Sequence, residues 1–513
     1  MGRMTRREFL ETGAKGVVIA SIPGIFKFDP SAAFAAPMED IVNLNEYYTH
    51  FGVDEKIILD VMQTALDRGG DYCDIYFQHS IANTVGLEDN AVNRAYANVD
   101  FGVGIRVISG DQTGYSFTEE ITSKAMKLAA STAANIANRN KTAAPVGLEH
   151  KTLPDYYPVK TLWENVKIDR KIPYLQNIND KVFSKDSRII KSRIRFSDFS
   201  SYILIANSEG KTVCDYRPMT SLRVSCTAEQ NGQRETNGYS LAARHGIEFF
   251  TRENVEKLSD ESVRRTIDLF EAVKPEAGEM EVVLAPGSSG ILLHEAIGHG
   301  MEADFNRKNI SIFADKINKR VAKEFVNIVD NGTNMNIRGS LNVDDEANDT
   351  EETYLVRDGI LTTYLHDRIS AKHYKSRHTG NGRRESFRYA PMPRMRNTYM
   401  LPGPHTPEEI IKSVKKGLYA ETFTNGQVFI GAGDFTFYVK SGNLIEDGKL
   451  TRPVKDINII GNGPEVLANI VMVADDLKMA EGGWTCGKDG QGVPVSQGLP
   501  TVKVSSITVG GIS

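Results

Sequence analysis

The sequence predicts a two-domain α+β protein, with a mixed α/β N-terminal domain and a sheet-rich C-terminal domain that carries a helix with a candidate metal motif. Three observations support this prediction. Helical and strand-like segments alternate in the first half. The stretch KPEAG at 274–278 interrupts the chain with proline, glycine and charge. Glycine-rich sequence with short strand-like segments follows. We therefore expect domains at 36–275 and 276–513.

The composition is that of an ordinary globular protein. Of 513 residues, 40% are hydrophobic and 25% charged, which is enough for a sizeable core. The net charge of −5 gives no sign of the basic patch that a nucleic-acid-binding protein needs. Four cysteines are too few for a disulfide scaffold. Cys73, Cys214 and Cys226 lie in strand-like contexts and are predicted core residues, although spacing leaves open whether Cys214 and Cys226 pair.

The first 35 residues contain the three parts of a twin-arginine export signal in order. TRREFL at 5–10 has the paired arginines, an apolar run follows at 16–26, and AFA at 33–35 suits cleavage. The apolar run is too short to span a bilayer, and no other segment is long and apolar enough. We expect export to the periplasm or another extracytoplasmic space. The alternative is a frayed amphipathic N-terminus on a cytoplasmic protein.

The elements of the N-terminal domain follow from apolar spacing and turn residues. Helices are predicted at 54–67, 120–137 and 261–272, and strands at 71–77, 101–108, 189–196, 201–206 and 211–216. The residues NSEG at 207–210 predict a hairpin turn between the last two strands. In the C-terminal domain we expect a buried strand at 280–285, a turn at 286–289 that caps the motif helix, and a helix at 407–418.

The stretch ILLHEAIGHG at 291–300 contains His294, Glu295 and His299. Zinc peptidases commonly carry H-E-x-x-H, whose histidines are four residues apart rather than five. Five residues of a regular α-helix turn through about 500°, so the two side chains would point about 140° apart. A π-turn would bring them to one face, and Gly298 lies where glycine tolerates a distorted backbone best. The motif predicts either a metal helix with a widened turn or two unrelated histidines on a core helix.

A catalytic zinc usually has three protein ligands and one open position. Glu302 and Asp304 lie close to the motif and offer carboxylates. Cys486, in GGWTCGKDG at 482–490, offers a thiol, and its neighbouring glycines would let the backbone approach a site closely. A small buried apolar residue is the alternative interpretation of Cys486.

Several longer stretches occur in a fixed order along the chain: HEAIGHGMEADFNR at 294–307, GNGRRES at 380–386, MPRM at 392–395, NTYMLPG at 397–403, CGKDGQ at 486–491 and TVGG at 508–511. Together they resemble the TldD/PmbA family of metallopeptidases, and its TldD branch in particular. The resemblance is strongest from about residue 280 to the C-terminus and looser between about 50 and 275. These long motifs are far more specific than H-E-x-x-x-H alone.

The resemblance implies a zinc peptidase that degrades short or unfolded peptides. It places the family's histidine ligands on His294 and His299, its cysteine ligand on Cys486 and its glutamate on Glu295. Members of the family form dimers with themselves or with a PmbA-type subunit that lacks the metal motif. The export signal departs from the well-known cytoplasmic members and puts their intracellular substrates in doubt for this protein.

The predicted reaction is therefore metal-assisted peptide hydrolysis, with a Zn²⁺-activated water and Glu295 as general base. Arg383 and Arg384 are predicted to hold a peptide carboxylate or the oxyanion, with a solvated surface pair as the alternative. The competing hypothesis for the whole protein is a non-catalytic exported peptide-binding protein, or a partner subunit of a TldD/PmbA-type complex. An intact metal motif favours the enzyme.

Overall fold

The structure, a computed structural model, describes residues 43–138 and 144–511. The predicted signal peptide at 1–35 lies outside the described residues, so export stays a prediction. Within the described ranges, no helix has the length and apolarity needed to cross a membrane.

The first half contains one seven-stranded sheet. Its strands are β1 (Tyr72–Glu88), β2 (Ala91–Ser109), β3 (Gln112–Thr118), β4 (Glu149–His150), β5 (Ile189–Asn207), β6 (Lys211–Gln230) and β7 (Gln233–Ala243). They pair in the order β3-β2-β1-β5-β6-β4, and β7 pairs with a later part of β6, from Thr220 to Gln230. Tight hairpins join β1 to β2, β2 to β3, β5 to β6 and β6 to β7, so most of this sheet is antiparallel.

The hairpin predicted at 207–210 is confirmed and shows why the chain turns there. The Oδ1 atom of Asn207 accepts hydrogen bonds from the backbone N–H groups of Glu209 and Lys211, and Gly210 has a φ of 91°. A side-chain acceptor and a glycine in the left-handed region are what a tight turn requires.

The strands of this sheet are longer than the sequence pattern predicts. The predicted strands at 189–196 and 201–206 form the single strand β5, in which Asp198 is buried. Its Oδ2 atom lies 2.6 Å from Nζ of Lys171, which is also buried. Because the ion pair compensates the charge, the strand continues through a position that reads as a turn. Cys214 and Cys226 both lie on β6, about 40 Å apart along the strand, so they cannot pair.

Five helices accompany this sheet: α1 (Leu44–Phe51), α2 (Glu55–Leu66), α3 (Ser123–Ala134), α4 (Ile168–Lys185) and α5 (Arg252–Ile267). The first three share one apolar core with the sheet, and the last two share another. The helix α5 begins nine residues before the prediction at 261, because Thr251 caps it by accepting from the N–H of Asn254. Short 3₁₀ turns occur at Trp163–Asn165, Ile247–Phe249, Asp268–Phe270 and Ser288–Gly290.

The second half begins after Phe270 and contains sixteen strands, most of them in two sheets. They are β8 (Gly278–Leu284), β9 (Ile328–Asn331), β10 (Glu352–Arg357), β11 (Ile360–Leu361), β12 (Gly382–Arg383), β13 (Met392–Pro393), β14 (Asn397–Met400), β15 (Lys416–Phe429), β16 (Asp434–Glu446), β17 (Lys449–Asn462), β18 (Ile470–Val473), β19 (Lys478–Met479), β20 (Thr485–Lys488), β21 (Gln491–Pro494), β22 (Ser496–Leu499) and β23 (Val502–Gly511). The helices are α6 (Ala303–Arg307), α7 (Arg368–Tyr374), α8 (Pro407–Lys412) and α9 (Gly463–Ala468).

One of these sheets closes on itself. It runs β17-β16-β15-β8-β23-β18, and β23 also pairs with β17, so β8, β15, β16, β17 and β23 form a ring. The other sheet runs β11-β10-β9-β14-β22-β19. The strands β15, β16 and β17 span 14, 13 and 14 residues, so the prediction of only short strands here is wrong. The helix predicted at 407–418 ends at Lys412, because the chain enters β15 at Lys416.

The motif helix, residues 291–301, lies inside this second half. Ile291, Leu292, Leu293, Ile297 and Met301 are buried in one apolar cluster with residues of both sheets. The helix contacts β15, β16 and α9. Its position in the core explains why the residues around the histidines are almost all apolar.

Buried ion pairs join the segment at 344–346 and its neighbours to the N-terminal sheet. Arg106 Nη1 lies 2.7 Å from Glu346 Oε1, and Arg217 Nη1 lies 2.6 Å from Asp345 Oδ1. Arg217 also pairs with Asp215, through Nε and Oδ2 at 2.6 Å. These buried carboxylates therefore already have guanidinium partners within the chain.

Candidate metal centre

The motif helix starts from a turn and has no side-chain cap. A 3₁₀ turn at Ser288–Gly290 leads into it, and no side chain accepts a hydrogen bond from its first N–H groups. The hydroxyl of Ser289 donates instead to the carbonyl oxygen of Ala285. The prediction that residues 286–289 cap this helix is therefore wrong.

The helix changes its winding at the histidines. It passes from an α turn at Ile291–Leu293 into a π turn at His294–Gly298 and then a 3₁₀ turn at His299–Met301. The N–H of His299 donates to the carbonyl oxygen of His294, five residues earlier. The widened turn predicted from the spacing is confirmed. It brings the two imidazole rings to a centroid separation of 5.0 Å.

Gly298 is required by packing and not by its backbone angles. Its φ of −60° and ψ of −49° are helical values that any residue adopts. A Cβ atom at this position would lie 2.1 Å from Sδ of Met395. The prediction that glycine absorbs the distortion of the helix is therefore wrong, since the bulge forms with ordinary angles and glycine makes room for Met395.

Cys486 lies beside the two histidines, 187 residues after His299. Its Sγ atom is 3.4 Å from Nε2 of His299, and the candidate ligand atoms of His294, His299 and Cys486 all lie within 4.8 Å of one another. All three side chains are buried. The predicted return of Cys486 to the histidines is confirmed, and the alternative of unrelated histidines on a core helix is not supported.

A two-strand hairpin presents Cys486 to the site. The strands β20 and β21 are joined by Asp489 and Gly490, whose φ angles of 48° and 73° suit a tight two-residue turn. Alternation along β20 turns Cys486 and Lys488 inward and leaves Gly487 exposed. A Cβ atom at Gly487 would meet nothing within 4 Å, so a close approach of the backbone does not explain this glycine.

Glu302 and Lys488 support the cluster from behind, a function that the sequence did not predict. The Nδ1 atom of His299 lies 2.9 Å from Oε2 of Glu302, so Nε2 is the nitrogen that faces Cys486. Nζ of Lys488 donates to Glu302 at 3.1 Å and to Asp304 at 2.7 Å. Glu302 and Asp304 thus bind Lys488, and neither belongs to the three-residue cluster. The H-x-x-E spacing of His299 and Glu302 was the available signal.

Electrostatics in the cluster favour a thiolate. Burial alone would raise the pKa of Cys486, but the nearby His294 and His299 outweigh it and hold that pKa well below its usual range. For His299 the effect of burial is the opposite, a lower pKa, but the nearby Glu302 and Cys486 outweigh burial and raise the pKa of His299 well above its usual value. Burial would raise the pKa of Glu302, yet Lys488 and His299 lower it to about 2. Glu302 is therefore an anion that orients His299.

Glu295 differs from its neighbours because it reaches solvent. Its side chain is 22% exposed, whereas that of His299 is 6% exposed. Its Oε2 atom lies 3.9 Å from Nε2 of His299, close to the cluster but outside the set of ligand atoms. A carboxylate in this position can contact a water molecule that approaches the cluster from solvent.

The donor set suits a zinc ion. Imidazole nitrogens and thiolate sulfur are both zinc ligands, and a catalytic zinc usually has three protein ligands and one open position. The Nδ1 atom of His294 is buried and has no hydrogen-bond partner among the described residues, so this ring is not committed to the protein scaffold. The residues present therefore fit the group that the motif implies.

Arg383 and Arg384 are buried, so the alternative of a solvated surface pair is wrong. Arg383 donates to the carbonyl oxygens of Met395 and Pro494, at 2.5 and 2.7 Å. Arg384 lies 3.2 Å from Asp74 and donates to the carbonyl oxygen of Asp345. Contact with a substrate stays a prediction for both, and these internal contacts do not support it.

Comparison with proteins of known structure supports the fold. The structure is similar to that of TldE from Thermococcus kodakarensis, with a TM-score of 0.70 and 17% sequence identity. The match covers 89% of this chain and 99% of TldE. At this identity the likeness concerns the fold alone.

Sequence comparison assigns the family. Family profiles of the PmbA/TldA metallopeptidases match as domain 1 at 73–137, central domain at 162–270 and C-terminal domain at 277–511. The metalloprotease TldD homologue of Buchnera aphidicola is 36% identical, covering 93% of this chain and 99% of its own, and that of Haemophilus influenzae is 37% identical, covering 91% and 98%. A zinc metalloprotease TldD homologue of Saccharolobus solfataricus is 29% identical, covering 88% and 99%. The chain therefore belongs to the PmbA/TldD family of metallopeptidases.

Proposed function

We propose that this protein is a zinc-dependent peptidase that hydrolyses short or unfolded peptides, with His294, His299 and Cys486 as zinc ligands and Glu295 as general base. The observation that carries the proposal is the convergence of the three ligand atoms within 4.8 Å in the protein interior. Zinc is favoured by the N, N, S donor set and by the name of the relative from Saccharolobus solfataricus.

A bound zinc ion would supply Lewis acidity, which lowers the pKa of a water molecule and polarises the carbonyl group of the peptide bond. The chain supplies the proton transfer. Glu295, adjacent to the cluster and open to solvent, takes the proton from the attacking water and gives it to the leaving amine. A thiolate donates more charge than a third imidazole, so we expect weaker Lewis acidity and a correspondingly greater dependence on Glu295.

The burial of the cluster supports the substrate class. His294, His299 and Cys486 are 1%, 5% and 3% exposed. The backbone of a folded protein cannot enter such a site, whereas a short or unfolded peptide can.

We also propose that the protein acts as a dimer, with a second copy or with a PmbA-type subunit, and that it is exported by the twin-arginine route. A cytoplasmic location is the alternative. Replacement of Arg6 and Arg7 by lysine, with cell fractionation, tests the export.

The test combines metal analysis with digestion of a peptide library by the purified protein. We expect about one zinc ion per chain and cleavage that stops after chelation and returns with zinc. Glu295→Gln should retain the metal and lose at least about 100-fold in kcat/KM, because a general base contributes this much. Turnover at the wild-type rate in this variant would refute the assignment of Glu295. A metal-free protein that binds peptides without cleaving them would instead support the non-catalytic alternative.

A further inference from the structure

A cleft of about 1140 Å³ is lined in part by residues that precede the motif helix and Cys486 along the chain. Its lining includes β7, the edge strand of the N-terminal sheet, and the segment at 478–485, which is joined to β7 by a hydrogen bond from the N–H of Ala242 to the carbonyl oxygen of Glu481. The cleft also includes Ala285 and Ser288, which precede the motif helix, and Trp484 and Thr485, which precede Cys486 directly. A chain lying in this cleft would therefore pass the segments that lead into the motif helix and into Cys486.

Arg338 lines the cleft and has unused hydrogen-bonding capacity. Its Nε atom donates to the carbonyl oxygen of Trp484 at 2.9 Å, and Nη2 lies 3.4 Å from the hydroxyl of Thr485. In the described part of the chain, its Nη1 atom has no hydrogen-bond partner. These two contacts hold the guanidinium beside the start of β20 and leave Nη1 for another acceptor. A guanidinium held in this way is ready for a planar anion.

The positive charge of Arg338 is not neutralised by a carboxylate in the described residues. Burial, together with the smaller effect of the nearby Arg244, lowers the pKa of Arg338 to about 10. The Nε atom of Arg244 has no partner among the described residues. Arg244 is buried and Arg338 is partly exposed, and neither has an ion pair among the described residues, so together they form a positive site at which an anion can bind.

The acidic side chains of the cleft are occupied elsewhere. Glu481 is paired with Lys257 at 2.5 Å, and Glu421 with Arg264 at 2.9 Å. Glu261 is paired with Arg265 at 3.0 Å. Behind Arg244, the buried Asp215 and Asp345 pair with a different arginine, as described above. Within residues 43–138 and 144–511, the acidic side chains that line the cleft could therefore serve Arg338 only by breaking an existing pair.

We propose that Arg338, supported by the charge of Arg244, binds a carboxylate of the peptide substrate in this cleft, beside the strand that carries Cys486. The carboxylate belongs either to the C-terminus of the peptide or to an acidic side chain near the scissile bond. This inference rests on the proposed peptidase function, because it assigns the cleft to the substrate. It makes the enzyme selective for peptides that are anionic at one defined position.

Binding measured on chelator-treated protein tests the inference separately from hydrolysis. The probe is a fluorescein-labelled penta-alanine peptide in three forms: with a free C-terminal carboxylate, with a C-terminal amide, and as the amide with one glutamate in place of an alanine. We expect fluorescence anisotropy to show the free acid binding roughly ten-fold or more tightly than the plain amide. If the glutamate-containing amide binds like the free acid, the carboxylate comes from a side chain. Equal affinity for all three peptides would overturn the proposal.

Arg338→Gln should reduce the ratio of the affinities for the free-acid and the amide peptide to less than about two-fold. Arg338→Lys should retain part of this preference. The matched control is Arg223→Gln, which removes the same charge from an exposed position of the same cleft and should leave the difference intact. Zinc content of each variant reports whether the hairpin with Cys486 is still formed. A preference for the acid that survives Arg338→Gln, or disappears equally in Arg223→Gln, would refute the assignment. Hydrolysis without any such preference would leave the peptidase proposal standing and remove this one.

Discussion

Two histidine pairs in this molecule have almost the same spacing and different surroundings. The ring centroids of His50 and His79, in the N-terminal half, are 4.9 Å apart, and those of His294 and His299 are 5.0 Å apart. His50 and His79 share a hydrogen bond between Nε2 and Nδ1 at 2.8 Å, and the ring of His50 stacks on that of Tyr202. The second pair faces a thiol instead.

The comparison shows that the third group, and not the distance between histidines, distinguishes the candidate metal site from an ordinary histidine pair. Burial and His50 lower the pKa of His79 to about 4. At the motif helix, Glu302 and Cys486 reverse the effect of burial on His299. The first pair satisfies itself by sharing one proton, whereas the second pair leaves ring nitrogen available to a cation.

Replacement of Cys486 should have the largest effect. In Cys486→Ser we expect zinc content to fall from about one ion per chain to below roughly a tenth, because a serine hydroxyl is a far poorer zinc ligand than a thiolate. Metal analysis after dialysis measures this. Cys226→Ser, which changes another buried free cysteine, and His79→Gln are the controls that should keep full zinc content. Loss of zinc from His79→Gln, together with full zinc content in Cys486→Ser, would contradict this interpretation of the two histidine pairs.

Removal of the charge behind His299 should have an intermediate effect. Glu302→Gln keeps the shape of the side chain but loses the anion that orients the imidazole, so we expect the dissociation constant of zinc to rise about 10- to 100-fold. Competition with a chromophoric chelator measures the constant. Asp304→Asn removes a carboxylate from the same lysine without touching His299 and should change it much less. Equal weakening in both variants would mean that the charge on Lys488 matters rather than the contact with His299.

The first histidine pair should show a small effect on stability. Because the folded pKa of His79 lies near 4, below the unfolded value of about 6.5, its neutral form stabilises the fold above pH 6.5, and this contribution is lost as the pH falls from 6.5 towards 4. We expect a loss of about 1 kcal/mol, reduced by partial exposure to solvent. Thermal unfolding at pH 7 and pH 5 should show a smaller pH dependence in His79→Gln than in wild type. His373→Gln, on an exposed histidine, should leave it unchanged.

The sequence predicted the metal helix better than its surroundings. The spacing of His294 and His299 required a widened turn, and helical geometry alone was enough to infer it. The reason for Gly298 was inaccessible, because Met395 approaches it only in the tertiary structure. Lys488 could not be foreseen either, since its partner Glu302 is 186 residues away in the chain.

The same limit explains the errors in the fold. Alternation of polar and apolar residues locates strands but stops at a charged position, as at Asp198 in β5, where a buried lysine restores the balance. Turns with local hydrogen bonds, such as the one at Asn207, were predicted correctly because every partner lies within four residues. Local contacts are thus readable from sequence, and long-range compensation is not.

The distance of Cys486 from the histidines along the chain has a consequence for biogenesis. At a synthesis rate of about 5–20 residues per second, the ribosome needs roughly 10–40 s after His299 before Cys486 is made. Until then a nascent chain can offer a cation only the two histidines, which bind weakly and reversibly. In the proposed site, acquisition of the metal would therefore be a late step in maturation, and a chain truncated before Cys486 would lack the third ligand even if everything up to β19 were folded.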